Sequence, residues 1–301
     1  PPQPFTFQIA PAEKAISYVA LYLIAALVLI ITAYLLYYRR TKRSKSEKKP
    51  VVKTPAVMPN SKENSVLLFG GFQVFDKKGK DITAQFTPLP KKLFLFIMLH
   101  SLRNEKGVSS SALYETFWFD KSVESARNNR AVNIVKLKSL LENIDTASIS
   151  KETGYWKFDF DPSRIYIDYY KYLRIIRSST ELSREQMVDL LSIIEGRPFL
   201  NNTNAEWLDP FKSEISNEII DTFLRYIGKS DDEPKFLLNL INCIFLFDTV
   251  SEEALKIQCR LLIKQGKHTL AKKSYSRFVK EYKQLYEEEF TMSFHQIIEE
   301  K

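Results

Sequence analysis

Histidine and cysteine are scarce, three and two in 301 residues. His100, His268 and His295 lie far apart, and none has a partner at metal-ligand spacing, so a histidine-based metal centre has no donor set. No Ser–His–Asp arrangement follows from spacing either. Cys243 and Cys259 fall within apolar helical patterns, which reads as two reduced core residues. A phosphate-binding loop is missing. No GK[ST] follows Gly70-Gly71, and Gly228-Lys229-Ser230 has Phe223 where the first glycine of such a loop belongs. The expectation is a binding protein, not an enzyme, with no cofactor and no metal.

One long segment lacks charge altogether. Residues 15–38 (AISYVALYLIAALVLIITAYLLYY) contain no charged side chain, Pro, Asn or Gln, and RRTKRSKSEKK follows directly. About 20 apolar residues cross the hydrocarbon core of a bilayer at roughly 1.5 Å per residue. Tyr18, Tyr22, Tyr34, Tyr37 and Tyr38 lie toward the ends, where aromatic rings favour the headgroup layer. A signal peptide carries its basic segment before a shorter apolar core, the reverse of this order. The expectation is a single transmembrane helix, oriented by the basic run with residues 1–14 outside and 39–301 in the cytoplasm. The chain starts at Pro1, not Met, so residues 1–14 are read as the end of an external sensor domain of a longer polypeptide. The localisation this implies is an inner (cytoplasmic) membrane, single-pass, with the N-terminus outside.

The net charge of +8 is unevenly spread. Residues 39–63 hold nine basic and two acidic side chains, beside the expected span and its anionic lipid. Residues 64–160 hold fourteen basic and ten acidic, and 161–301 hold twenty and twenty-three. The balance permits nucleic-acid binding by the middle block and argues against it for the last. Residues 39–64 lack hydrophobic periodicity, contain Pro50, Pro55 and Pro59, and read as a basic tether without regular structure.

Next come two short strands, broken by Gly70-Gly71 and by a turn at residues 76–79. Pro90 opens a helix, KKLFLFIMLHSL. A second helix follows Ser109, Ser110 and Ser111 and carries Leu113, Phe117 and Trp118; a third follows Ser125 and runs to about Ile144. ASISKETGYWKFDF makes a hairpin around Glu152, Thr153 and Gly154. Strands, three helices and a hairpin are the layout of a winged helix-turn-helix with an N-terminal β-sheet. The remainder is almost all helix. Asp209-Pro210 opens one helix, and Thr249 with Glu252 forms a capping box for another. Residues 251–264 and 267–285, joined at Gly266, have the size and apolar spacing of a tetratricopeptide-like hairpin. The predicted fold class is therefore mainly α with a small α+β part. Its parts are an external end (1–14), the span (15–38), the tether (39–64), a winged-helix domain (65–160) and a helical repeat domain (161–301).

The runs LPKKLFLFIMLHS, VSSSALYETFWFD, SARNNRAVNIVKLKSLLENI and ISKETGYWKF are similar to the response-regulator-type winged helix. Phe117-Trp118 stands where the Streptomyces antibiotic regulatory protein (SARP) family ends its second helix with Leu-Trp, and Gly154-Tyr155 matches that family's wing turn. GRPFL (196–200) and EWLDPFKSEI (206–215) resemble the bacterial transcriptional activator domain that follows in the same family. The chain departs from the pattern at Lys138, where the family usually has Arg, and at Arg130, where it has an apolar residue. The resemblance implies a transcription regulator whose helical domain dimerises or contacts RNA polymerase.

With Asn129 at 0° and a step of about 100° per residue, Ile134, Leu137 and Leu141 fall at about 140°, 80° and 120°, a core-facing stripe. Asn129, Asn133 and Lys136 fall at about 0°, 40° and 340°, with Val132 at about 300°. These four are the expected base readers in the major groove of double-stranded DNA: Asn for adenine, Lys for guanine, Val for a thymine methyl. Arg127, Arg130 and Lys138 on the flanks, and Lys151 and Lys157 on the hairpin, are expected at phosphates. A homodimer on repeated half-sites follows from the small interface of one winged helix. The alternative reading is a membrane-anchored signalling scaffold that grips a protein partner through its helical repeats.

Overall fold

A computed structural model describes residues 63–194 and 196–299. Strands β1 (Ser65–Leu67) and β2 (Gln73–Phe75) pair antiparallel, Val66 opposite Val74. The turn after β2 is held by the Asp76 carboxylate, which accepts from the N–H groups of Lys78 (2.8 Å) and Lys80 (2.9 Å). Helix α1 (Pro88–Asn104) starts two residues before the expected Pro90. Both prolines lie in the first turn, whose N–H groups have no partner within the helix. Short β3 (Val108–Ser109) leads into α2 (Ser110–Phe117), capped by the Ser109 hydroxyl, which accepts from Ala112 N–H at 3.1 Å. Helix α3 (Val123–Leu141) is capped by Ser122, not Ser125, so it begins a turn earlier than the sequence suggests. β4 (Ser148–Glu152) and β5 (Tyr155–Asp159) form the wing. Thr153 and Gly154, at φ +48° and +89°, make the tight turn whose twist suits a two-residue hairpin.

Residues 93–99 (LFLFIML) of α1 are buried on every side. A helix that is apolar all round belongs inside a protein, and α1 is sandwiched between two layers. On one side Phe94 meets Phe72, Phe86 and Phe158, with ring centroids 5.3 to 6.1 Å apart. The buried Ser101 hydroxyl adds two bonds there: it donates to the Ile97 carbonyl at 2.7 Å and accepts from Phe158 N–H of the wing at 2.9 Å. Gly107 lets β3 reach β5. Its φ is +78°, and a Cβ there would lie 2.2 Å from the Trp156 carbonyl oxygen.

The other side of α1 carries the helical domain. Strand β6 (Tyr166–Ile167) pairs parallel with β1, completing a sheet of order β2-β1-β6. It runs directly into α4 (Asp168–Ile176). The buried Asp168 carboxylate accepts from the N–H groups of Leu68 (2.7 Å), Phe69 (2.9 Å) and Tyr169 (2.6 Å). Burial pushes this carboxyl up to about 7, against the three N–H donors and the Arg197 charge, which favour the anion. After α5 (Arg184–Ile194), the GRPFL segment docks on the residues that follow β1: Gly70 N–H donates to Pro198 O (2.9 Å) and Leu200 N–H to Leu68 O (2.8 Å). Trp207 of the EWLDPF segment packs edge-on against Phe96 at 5.0 Å and against Phe117 at 6.3 Å.

Helix α6 (Asp209–Lys229) begins with Asp209 and Pro210 in its first turn, though Asp209 makes no capping bond. Gly228 lies within its last turn, not in a loop. α6 brings Phe211 against His100 (5.3 Å) and beneath the Arg103 guanidinium (5.1 Å); Arg103 also pairs with Glu214. α7 (Pro234–Phe247) is followed by α8 (Glu252–Lys264) and α9 (His268–Tyr286), the antiparallel pair expected around Gly266. Gly266 has φ +72°. The cap of α8 is Ser251, without a side-chain bond, so the Thr249 capping box does not form. α10 (Phe294–Glu299) closes a small core of Val250, Leu255, Cys259, Phe278 and Ile297. Cys243 and Cys259 are buried and free, and burial pushes their thiols up to about 12 and about 11.

The expected fold class and localisation need correction. Among the described residues no helix is long and apolar enough to cross a membrane. α1, the most buried helix, is only 17 residues and spends its apolar surface on protein. The fold is mainly helical with two small sheets, and the single-pass inner-membrane localisation, which rested on the span alone, falls with it. Residues 15–38, the external end and the tether as far as residue 62 lie outside the described residues; Asn64, expected in the tether, is buried and accepts from Asp145 N–H at 2.7 Å.

Two predictions test this architecture. Asp168→Ala removes the acceptor of three buried N–H groups and is expected to cost about 3 kcal/mol or more, read from urea denaturation. His100 is held below its ordinary pKa of 6.5, by burial first and then by the Arg103 charge. Below pH 6.5 the unfolded chain therefore binds a proton that the folded chain refuses, and stability falls as pH drops. The difference between wild type and His100→Gln in urea midpoint should widen in favour of the variant from pH 7.5 to pH 5.5.

Candidate nucleic-acid interface

Helix α3 and the wing form one continuous surface. Ile134, Leu137 and Leu141 are buried, as the periodicity requires, and anchor α3 to the core. Asn129, Val132 and Lys136 are exposed, and Asn133 is half-buried. Both asparagines bond back along the helix, Asn129 Nδ2 to Ser125 O (2.9 Å) and Asn133 Nδ2 to Asn129 O (2.8 Å). Exposed bonds of this kind exchange with another partner at little net cost. A shallow depression lined by Ser122, Glu124, Ser125, Asn128, Asn129 and Val132 flanks the start of the helix.

Arg127, Lys136 and Lys138 are exposed, and none forms an ion pair among the described residues. Lys151 lies on the wing with its ammonium 5.5 Å from the Trp156 ring. Lys157 is 3.9 Å from Asp159, both about 40% exposed, a pairing that water screens strongly. These cations lie along α3 and the wing.

Arg130 sits differently. It falls at about 100° on the wheel, in the middle of the apolar stripe. Its guanidinium stacks 4.9 Å from the Tyr114 ring and 5.4 Å from the Trp156 ring, and donates to the Tyr114 hydroxyl. Trp156 in turn donates from Nε1 to Ser110 Oγ at 3.1 Å. Arg130 thus joins α2, α3 and the wing, with a flat cation filling the place of an apolar side chain.

Residues missed by the sequence reading lie nearby. The core stripe centres near 110°, so the most outward direction is near 290°. Asn128 at about 260° and Val135 at about 240° lie closer to that direction than Asn133 does. Val135 is 69% exposed. The signal was present on the same wheel: the face opposite the buried stripe, not the densest polar run, is the one that projects.

The described residues define a winged helix-turn-helix continued by a layer of helices. No family profile matches the sequence, and no curated protein matches it. Among solved structures, Mycobacterium tuberculosis EmbR in complex with a low affinity phosphopeptide is similar, with TM-score 0.50 and 13% identity over 78% of this chain. The chain spans 64% of the length of that one. At this identity the likeness is one of fold alone.

Arg130→Ala is expected to lower stability by about 1–2 kcal/mol by emptying the space between Tyr114 and Trp156, whereas Arg127→Ala leaves it within about 0.5 kcal/mol. Thermal unfolding of the two variants separates the anchoring arginine from the exposed one.

Proposed function

We propose that the chain is a transcription regulator of SARP type that binds double-stranded DNA without catalysing a reaction on it. The observation that carries this reading is the outward face of α3, which presents amide, ammonium and methyl groups beside a wing edged with lysines. In this reading α3 enters the major groove, where Asn129, Val132, Asn133 and Lys136 meet base edges. Arg127 and Lys138 meet phosphates on the helix flanks, and Lys151 and Lys157 meet the backbone beside the wing. Arg130 acts mainly by fixing the angle between helix and wing. The SARP-like fold supports the reading, because its helical layer sits behind the proposed reading head and leaves that surface open. Two copies on repeated half-sites would supply the contact area that one winged helix lacks. The helical domain would hold the copies together or contact RNA polymerase.

The test is binding of the full chain to duplexes from its own upstream region against random duplexes. A preference is expected, with affinity falling steeply, by about a thousandfold or more, between 50 and 200 mM salt if six or more phosphates are met. Asn133→Ala should change which sequence is preferred, while Lys151→Ala should weaken all duplexes alike and flatten the salt slope by about one. Equal binding to every duplex would remove the reading.

A further inference from the structure

Val132 and Val135 are 68% and 69% exposed, on a helix whose other face is fully anchored in the core. They lie at about 300° and 240°, on either side of the most outward direction. Their neighbours on this ridge are polar: Ser125, Asn128, Lys136 and Ser139. A solvated helix face gains nothing from valine. Its branched Cβ lowers helix propensity, and its methyl groups add apolar area to water. Neither side chain is buried against any part of the described fold. The pair leaves an apolar surface open to a group that arrives from outside.

In the major groove the apolar feature of the base edges is the C5-methyl group of thymine. Residues three apart on a helix hold their Cβ atoms roughly 5–6 Å apart, and base pairs rise by about 3.4 Å, so two methyl groups one or two steps apart match the spacing. Asn129 precedes Val132 by the same three residues and can pair with N6 and N7 of the adenine in such a base pair. We propose that Val132 and Val135 read two thymine methyl groups, so that the preferred duplex carries a T·A-rich step whose recognition depends on the methyls themselves. This deepens the DNA-binding reading and rests on it.

Deoxyuridine keeps every hydrogen-bonding group of thymidine and lacks only the methyl. Duplexes selected by the full chain from a random-sequence library would be resynthesised with deoxyuridine at each thymine in turn. Substitution at two positions in each half-site, one or two steps apart, is expected to weaken binding about fourfold each. Val132→Ala should abolish the penalty at one of these positions and Val135→Ala at the other, a coupling that a general loss of affinity would not produce. Alanine has the higher helix propensity, so both variants should melt no lower than wild type. A selected duplex that tolerates deoxyuridine at every position overturns the proposal while leaving the DNA-binding reading standing. So does a methyl dependence that persists unchanged in both variants. Selection that yields no preferred sequence removes both.

Discussion

The larger core of the described fold is built around a helix with no solvent side. Residues 93–99 of α1 must be covered in all directions, because seven consecutive large apolar residues leave no face for water. A three-helix winged domain covers only part of such a helix. Phe94 turns toward the wing and the N-terminal strands, while Phe96 and His100 turn toward Trp207 and Phe211 of the helical layer. The two layers are consequently halves of one core, and the motifs GRPFL and EWLDPF touch the first half together with β6 and α4.

The same logic sets the direction of the exposed surface. With the helical layer on one side of α1 and the wing sheet on the other, α3 keeps a single free face. Arg130 then fixes how α3 leans on the wing, through two aromatic rings and a hydroxyl on α2. A cation at the centre of an apolar stripe would ordinarily be costly. Here aromatic faces and a phenol oxygen satisfy it, and part of it stays in contact with water.

Much of this was legible in the sequence, and the limits have identifiable causes. The helices, the hairpin turn at Thr153-Gly154, the burial of both cysteines and the α8–α9 pair around Gly266 follow from periodicity and turn chemistry, which are local. Helix starts were less legible, because Ser122 and Ser125 both offer a cap, as do Thr249 and Ser251, and only packing chooses between them. Strand β6 and the bonds from Leu68 and Phe69 to Asp168 were invisible, since they join residues about 100 positions apart and a two-residue strand has no pattern of its own. Arg130 was read as a surface cation by residue type alone, although its wheel position already pointed inward. The eight other residues considered for DNA contact are all at least partly exposed.

Strand β6 has a consequence for how the two halves move. The chain leaves the wing, crosses six residues, and becomes the third strand of the N-terminal sheet before entering the first helix of the second layer. A connection that is itself woven into a sheet cannot serve as a hinge. Any rearrangement among the rear helices must therefore tug directly on the strands beneath the head. Severing the polypeptide near position 160 would not liberate a portable module; it would leave a sheet missing its border and a central rod laid bare along one flank.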